Sequence, residues 1–247
     1  MSKFQIGIVG YGDFTKVMLE YLAPFADILV SSRSSQTGAA GFGASFAPVE
    51  DVLSCPIIVP SIPAQFFDLF FSQHRKLVNP EATVIDVSSV KVLPLKALEH
   101  HLPNTCQIIG THPMFGPASI AKNGGIKGLR CVVSSVRASD AVIAELEQFL
   151  QSKLKLQVLR RTPEQHDKEM AYVQGLSHYV GRLMDVMEIP NSELSTLAYD
   201  DLLDMKNIQG QDSWDLFMSI MHENPFAQDV NEKFKDAIRH LDDKINK

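Results

Sequence analysis

The feature that most constrains the fold is an alternation of short β-branched runs with longer amphipathic stretches over about the first 160 residues. Helices are predicted over residues 14–22 and 140–151, the second capped by Ser139. Strands are predicted over residues 4–9, 28–31, 56–60, 83–87, 106–110, 130–134 and, at an edge, 156–159. This alternation indicates βαβ units and an α/β fold with a mostly parallel, Rossmann-like sheet covered by helices on both faces.

The character of the chain changes after residue 162. No convincing strand follows, and Pro163 suits the first turn of a helix. The remaining residues form amphipathic stretches broken near Pro190 and Pro225. We therefore expect two domains, a Rossmann-like domain over residues 1–162 and an all-helical domain over residues 163–247.

Charge and composition exclude several classes of protein. The formal net charge of −6 disfavours a nucleic-acid partner. No apolar run approaches the roughly 20 residues that span a bilayer, and no targeting segment is visible, so a cytoplasmic protein without a membrane partner is expected. Three scattered cysteines, Cys55, Cys106 and Cys131, predict buried thiols rather than disulfides, and no metal site is expected.

A glycine turn follows the first predicted strand. Gly10 and Gly12 precede Asp13 and Phe14 at a helix start, in the strand–turn–helix context of a dinucleotide site. The first glycine allows the tight turn and the second allows a pyrophosphate to approach the backbone. Thr15 stands where a third small residue is expected, which predicts slightly looser helix–strand packing. An ordinary βα turn is the alternative.

The end of the second predicted strand indicates which nicotinamide cofactor is bound. NAD sites usually carry an acid there for the ribose diol. This chain instead has Ser32, Arg33 and Ser34, whose hydroxyls and guanidinium suit the 2′-phosphate of NADP. The alternative is a solvated loop arginine.

Further polar residues follow the next strands. Ser61 follows the strand near residue 60, Ser88 and Ser89 follow the next, and His112 stands in the segment IGTHPMFGP, residues 109–117. The carboxyl ends of parallel strands line the ligand crevice of an open α/β sheet, so His112 is expected there. A structural histidine bonded to a backbone carbonyl is the alternative.

Three segments make a family resemblance visible. DVSSVK, GTHPMFGP and EQHDKEMAYVQGLSHYVGR resemble the TyrA family of prephenate and arogenate dehydrogenases. The resemblance runs from the glycine turn to about residue 230, and the segment LAYDDLLDMKNIQGQDSWDLF is most similar to the plant-type arogenate dehydrogenase group.

The resemblance implies an enzyme of tyrosine biosynthesis that oxidatively decarboxylates arogenate or prephenate. His112 matches the catalytic histidine, which would accept a hydrogen bond or proton from the ring hydroxyl during hydride transfer, and Ser89 matches a serine that contacts it. The residues that match the substrate-binding positions are Gln174, Ser177, His178 and Thr196.

Two departures from the family pattern bear on the substrate. Asn207 lies near the position where prephenate-specific members carry an arginine, so Arg182 or Lys206 would have to supply positive charge. Asp212 falls where arogenate-preferring members carry an acid, which could pair with an ammonium group but would repel the side chain of prephenate. Arogenate is therefore the expected substrate, with prephenate as the alternative.

Other classes of function stay open at this point. One is a different two-domain Rossmann dehydrogenase, although such enzymes usually rely on a lysine and lack THPMFGP. Another is a non-catalytic NADP-binding regulator. Apolar faces over residues 197–205 and 214–221 predict a homodimer through the helical domain, as the family resemblance also implies.

Overall fold

The computed structural model describes residues 3–33, 38–210 and 212–247. The chain divides into two compact units, Met1–Pro163 and Glu164–Lys247. They are called the sheet unit and the helical unit below.

The sheet unit is built on one eight-stranded sheet. The strand order is β3-β2-β1-β4-β5-β6-β7-β8, and adjacent strands are parallel except β6 and β7. The strands are β1 (Phe4–Val9), β2 (Ala26–Ser31), β3 (Ala44–Phe46), β4 (Ile57–Pro60), β5 (Thr83–Asp86), β6 (Gln107–Pro113), β7 (Arg130–Arg137) and β8 (Gln157–Arg160). The order reverses between β1 and β4, which is where open sheets of this kind bind ligands.

Helices cover both faces of this sheet. One core cluster joins Ile58, Val84 and Ile108 to the helices α2, α3 and α4, and two others join the opposite face to α1 and α6. The helices of this unit are α1 (Asp13–Leu22), α2 (Val49–Leu53), α3 (Phe67–His74), α4 (Val92–His101), α5 (Pro117–Asn123) and α6 (Asp140–Ser152). Ser139 caps α6, its hydroxyl accepting a bond from the amide of Val142 at 3.4 Å.

The predicted α/β fold with a mostly parallel sheet is confirmed, with one correction that bears on function. The strand expected to end at Gly110 continues to Pro113. Its parallel pairing with β5 stops at Gly110, but antiparallel pairing with β7 carries on through His112 and Pro113. His112 therefore lies within a strand rather than in the turn that follows. The short strand β3 was not predicted.

The helical unit contains no strand in its described part. Between α7 and α8 the helix widens to a π-helical turn over Ala171–Leu176, which was also not predicted. The helices are α7 (Pro163–Met170), α8 (Ser177–Val186), α9 (Leu197–Gly210), α10 (Trp214–His222) and α11 (Ala227–Ile245). Over the described residues, no helix is both long and apolar enough to cross a membrane.

Candidate active site

The predicted cofactor residues of the sheet unit lie at one edge of the sheet. Val9 pairs with Ser31 on one side and with Pro60 on the other, so Gly10, Ser32 and Ser61 follow three adjacent strands. The amide of Gly10 donates to the carbonyl of Ser31 at 2.8 Å, and the amide of Ser61 donates to the carbonyl of Val9 at 2.8 Å. The register thus brings these three strand ends side by side.

The glycine turn has the backbone that a dinucleotide site needs. Gly10 has φ +106°, and a Cβ there would lie 2.2 Å from the carbonyl oxygen of Ser61. Gly12 is exposed at the N-cap of α1, and a Cβ on it would meet nothing within 4 Å. Asp13 and the half-buried Phe14 open the helix. The open space over a helix N-terminus fits a pyrophosphate.

The residues after β2 are placed as the sequence indicated as far as the structure describes them. Ser32 is half-buried and Arg33 is exposed, directly beyond the end of the strand. Ser34 lies outside the described residues. No acidic residue follows β2 before that point.

The turn after β5, which carries Ser89, is closed by a buried ion pair. The ammonium of Lys91 contacts the carboxylate of Asp86, and both side chains are 0% exposed. The same carboxylate accepts from the amide of Ser88 at 2.9 Å, and Lys91 donates to the hydroxyl of Ser88 at 3.1 Å. Sequence reasoning missed this pair, although the acid and the lysine are the first and last residues of the motif DVSSVK.

His112 is 4% exposed on β6. Its neighbour Thr111 donates its hydroxyl to the carbonyl of Asp86 at 2.8 Å, which ties β6 to the turn that carries Ser89. Gly110 precedes them, and a Cβ there would approach Leu95 to 2.8 Å and the Lys91 stem to 3.2 Å, so a larger residue would displace these side chains. Asp86 pairs with Gly110 in the parallel register, so Ser89 and His112 both come two or three residues after the point where the pairing of β5 with β6 ends.

A row of polar side chains, half-buried at Gln174 and buried at His178 and Arg182, runs along one helical segment of the helical unit. Gln174, His178 and Arg182 are spaced by four residues, so they share a face, and Gln174 lies within the wide turn. Three buried atoms of this row have no hydrogen-bond partner: Gln174 Oε1, His178 Nδ1 and Arg182 Nε. Buried polar atoms normally have partners, so such a row is typical of a ligand site. Wide turns of this kind are also frequent at functional sites.

Asp212 completes this group from the turn before α10. Its carbonyl accepts a hydrogen bond from Arg182, and its carboxylate lies 3.7 Å from His178 Nε2. The Arg182 guanidinium lies 4.8 Å from the ring centre of Trp214 and 6.0 Å from that of Phe217. The Arg182 side chain makes these contacts by reaching from α8 to the start of α10, and sequence reasoning missed them.

Burial controls the charges in this group. Together with the nearby Arg182 cation, it lowers the pKa of His178 to about 4, so the imidazole is neutral at pH 7. Burial raises the pKa of Asp212, whereas Arg182 opposes that shift. The approach of His178 to Asp212 is therefore a contact between a neutral ring and a carboxyl group.

The other predicted substrate residues have local partners. The Ser177 hydroxyl donates to its own helix, 2.8 Å from the carbonyl of Val173. Thr196 caps α9 by accepting from the amide of Tyr199 at 3.3 Å. Lys206 donates to the carbonyl of Ile189 at 3.1 Å, and Asn207 is exposed. Of the two cations considered for a substrate carboxylate, Arg182 is therefore the one beside Asp212.

We expect acidification to destabilise the helical unit through His178. The unfolded chain protonates this histidine near pH 6.5, whereas the folded chain resists protonation down to about pH 4. The unfolded state binds more protons in this window, so the free energy of unfolding falls by up to about 1.4 kcal/mol for each pH unit lost. Urea unfolding between pH 4 and pH 7.5 measures the slope. His178→Gln should flatten it, the exposed His240→Gln should not, and equal slopes in native protein and His178→Gln would contradict this origin.

A cavity of about 300 Å³ lies elsewhere in the sheet unit, between α1 and α6 over the sheet face. Its lining is almost entirely apolar, including Phe4, Phe14, Ile85 and Phe149. It lacks the convergent polar groups that a reaction needs, so we place no chemistry there.

The sheet order, the glycine turn and the residues at the carboxyl edge define a Rossmann-type dinucleotide-binding domain followed by a helical unit. A family model described as prephenate dehydrogenase, nucleotide-binding domain, matches residues 27–150, and one described as TYRAAT1-like, C-terminal domain, matches residues 183–247. The chain belongs to the prephenate dehydrogenase family, the TyrA family of prephenate and arogenate dehydrogenases.

Individual relatives agree with this assignment. Over 96% of its length the chain is 32% identical to arogenate dehydrogenase 1, chloroplastic, of Arabidopsis thaliana, and over 97% it is 28% identical to arogenate dehydrogenase 2, chloroplastic, of that plant. The chain spans 39% of the first relative's length and 69% of the second's. The predicted resemblance to the plant-type group is confirmed.

Solved structures share the fold. The prephenate dehydrogenase of A. aeolicus, in complex with hydroxyphenyl propionate and NAD⁺, matches with a TM-score of 0.74 and 22% identity, over 99% of this chain and 91% of that one. Arogenate dehydrogenase of Synechocystis matches with a TM-score of 0.71 and 20% identity, over 98% of this chain and 91% of that one.

Proposed function

We propose that this protein oxidatively decarboxylates arogenate with NADP as the hydride acceptor, in tyrosine biosynthesis. One observation carries the proposal: in a chain of this family, a buried histidine stands at the carboxyl edge of a dinucleotide-binding sheet. A regulator that only binds the cofactor has no need of that histidine or of the buried polar row in the helical unit. A different Rossmann dehydrogenase would not require THPMFGP.

The residues present fit a nicotinamide dinucleotide. Gly10, Gly12, Asp13, Phe14 and Ser61 would hold its phosphates and riboses, since the space over Gly12 is open and α1 presents its amino terminus there. The nicotinamide ring, when bound, accepts a hydride.

Ser32 and Arg33 support NADP over NAD. A 2′-phosphate would receive charge-assisted hydrogen bonds from the Arg33 guanidinium, and no acid is present after β2 to bind a ribose diol. Ser34, the third residue predicted to bind this phosphate, lies outside the described residues and stays part of the proposal.

His112 would act as the acceptor of the proton of the ring hydroxyl. As the hydride leaves the ring carbon that carries this hydroxyl, the proton passes to the imidazole. The bond to the ring carboxylate then breaks, carbon dioxide leaves, and its bonding electrons complete the aromatic ring. Ser89, on the turn closed by Asp86 and Lys91, would orient the hydroxyl. A neutral imidazole is needed, as is usual for histidine at neutral pH.

The helical unit supplies the preference for arogenate. His178 presents Nε2 towards Asp212, so its N–H belongs on that nitrogen and Nδ1 is left as a buried acceptor. An acceptor nitrogen and a carboxylate suit the ammonium group of arogenate, whereas the keto group of prephenate can donate nothing. Arg182 would bind a carboxylate of the substrate, and Gln174, Ser177 and Thr196 would line the same region.

Substitution of Asp212 tests the proposed preference for arogenate over prephenate. We expect native protein to reduce NADP with arogenate faster than with prephenate, and Asp212→Asn to lower kcat/KM for arogenate about tenfold, since roughly 1.4 kcal/mol of ion pairing is lost. The loss for prephenate should be smaller. NADPH absorbance, measured with both substrates against NADP and NAD, gives these values.

Asp215→Asn provides the matched control, because this acid is exposed on the first turn of α10. It should leave both substrates unaffected. Faster turnover of prephenate by native protein would contradict the arogenate preference, and no turnover of either substrate by protein that binds NADP would contradict the function.

A homodimer through the helical unit is part of the proposal. α9 and α10 carry exposed apolar side chains that a partner copy would cover, among them Leu197, Leu202, Trp214 and Met218. The cytoplasmic location stays a prediction, supported by three cysteines that are all buried and unpaired with one another.

A further inference from the structure

Thr15 occupies the position where a dinucleotide-binding turn has its third small residue, and it is fully buried. Its hydroxyl lies 3.1 Å from the carbonyl oxygen of Gly10 and 2.9 Å from the hydroxyl of Ser61. One side chain thus contacts two of the loops that would hold the cofactor. A glycine there could make neither contact.

The directions of these two bonds follow from the chemistry of the groups. The Gly10 carbonyl can only accept, and a threonine hydroxyl has one proton to donate. Both contacts are made at full strength when Thr15 donates to Gly10 and accepts from Ser61. The proton of Ser61 is then committed to Thr15, so its oxygen offers only lone pairs to anything else.

The same arrangement fixes the distance between the loops. The carbonyl oxygen of Ser61 lies only 2.2 Å from where a Cβ of Gly10 would be, and the amide of Ser61 donates to the carbonyl of Val9. The glycine turn and the loop after β4 are therefore in contact through the backbone as well as through Thr15. Ser61 itself is half-buried at the edge that faces the proposed cofactor.

We propose that Thr15 is a positioning residue that couples the glycine turn to Ser61 and leaves the Ser61 oxygen as a hydrogen-bond acceptor for a donor of the bound dinucleotide, a ribose hydroxyl or the carboxamide N–H. Phosphate oxygens, which are acceptors, are excluded as its partners. This inference rests on the dinucleotide site of the proposed function and adds to it a specific role for a residue that departs from the usual glycine.

Dinucleotide affinity, measured by NADPH fluorescence titration, tests the coupling without relying on turnover. Thr15→Val keeps the shape but removes the hydroxyl, and we expect about fivefold weaker binding, the effect of one ordinary hydrogen bond. Thr15→Ser keeps the hydroxyl and should bind within about twofold of native protein. Thermal unfolding of each variant shows whether the fold is retained, and the comparison of Val with Ser holds even if both lose some stability.

A double-mutant cycle distinguishes coupling from two independent effects. In a Ser61→Ala background, Thr15→Val should weaken binding little further, because the group that it orients is already gone. Native affinity in Thr15→Val, or losses that multiply in the double variant, would overturn the role of Thr15 while leaving the proposed function intact. A native protein that binds neither NADPH nor NADH would overturn the proposed function itself.

Discussion

His112→Asn is expected to lower kcat by about 10²- to 10⁴-fold, the range found for loss of a positioned acid–base group. Asparagine keeps a polar side chain of similar reach on β6 but cannot take a proton from the ring hydroxyl. His112 is almost fully buried and pairs with Val132 of β7, and asparagine is no larger than histidine, so the replacement removes the proton acceptor without overfilling the site. Steady-state kinetics with arogenate and NADP measure the effect.

Two controls accompany this variant. Dinucleotide affinity should be close to native, because His112 lies outside the proposed phosphate and ribose contacts. His101→Asn, which removes a histidine whose Nε2 lies 2.8 Å from the exposed carboxylate of Asp68, should leave kcat unchanged. Turnover by His112→Asn within tenfold of the native rate would show that another group takes the proton.

Lys91→Met is expected to destabilise the sheet unit by about 3–5 kcal/mol, the usual cost of leaving one buried charge without its partner. Asp86 is completely buried, so water cannot replace the ammonium. The double variant Asp86→Asn, Lys91→Met removes both charges and keeps an acceptor for the amide of Ser88. We expect it to recover most of the loss, since a neutral, well-packed replacement of a buried pair costs little. Urea unfolding measures both variants.

Lys16→Met is the matched control for this pair. Lys16 contacts Asp13 at 2.8 Å, but both side chains are largely exposed, and surface pairs contribute little to stability. A double variant no more stable than Lys91→Met would mean that packing of the lysine stem, and not the unpaired charge, dominates the loss.

Much of the sheet was predictable because its strands are buried on both faces and appear as continuous apolar runs. β3 was not predicted because a strand of only three residues leaves too short a pattern in the sequence. The end of β6 was not predicted for a different reason. In the sequence, Thr111, His112 and Pro113 resemble the start of a turn, and only their long-range pairing with β7 keeps them in a strand.

The candidate site was also predictable only in part. The residues at strand ends could be identified because register follows from the order of the strands. The contacts of Arg182 with Asp212 and Trp214 could not, since they depend on how α8 lies relative to the start of α10. The size of Thr15 alone predicts looser packing between helix and strand. Its hydroxyl has partners, Gly10 and Ser61, and Ser61 becomes a neighbour only in the folded unit.

The wide turn over Ala171–Leu176 determines which residues of the following helix face Asp212. A regular helix rotates by about 100° per residue, so one extra residue in a turn shifts the phase of everything beyond it by that angle. The length of this segment therefore determines how the faces of α8 are rotated relative to those of α7. Loss of one residue here would rotate His178 and Arg182 away from Asp212 without changing either of them. An alignment that omits such a gap would pair residues of the right type that lie about 100° apart around the helix.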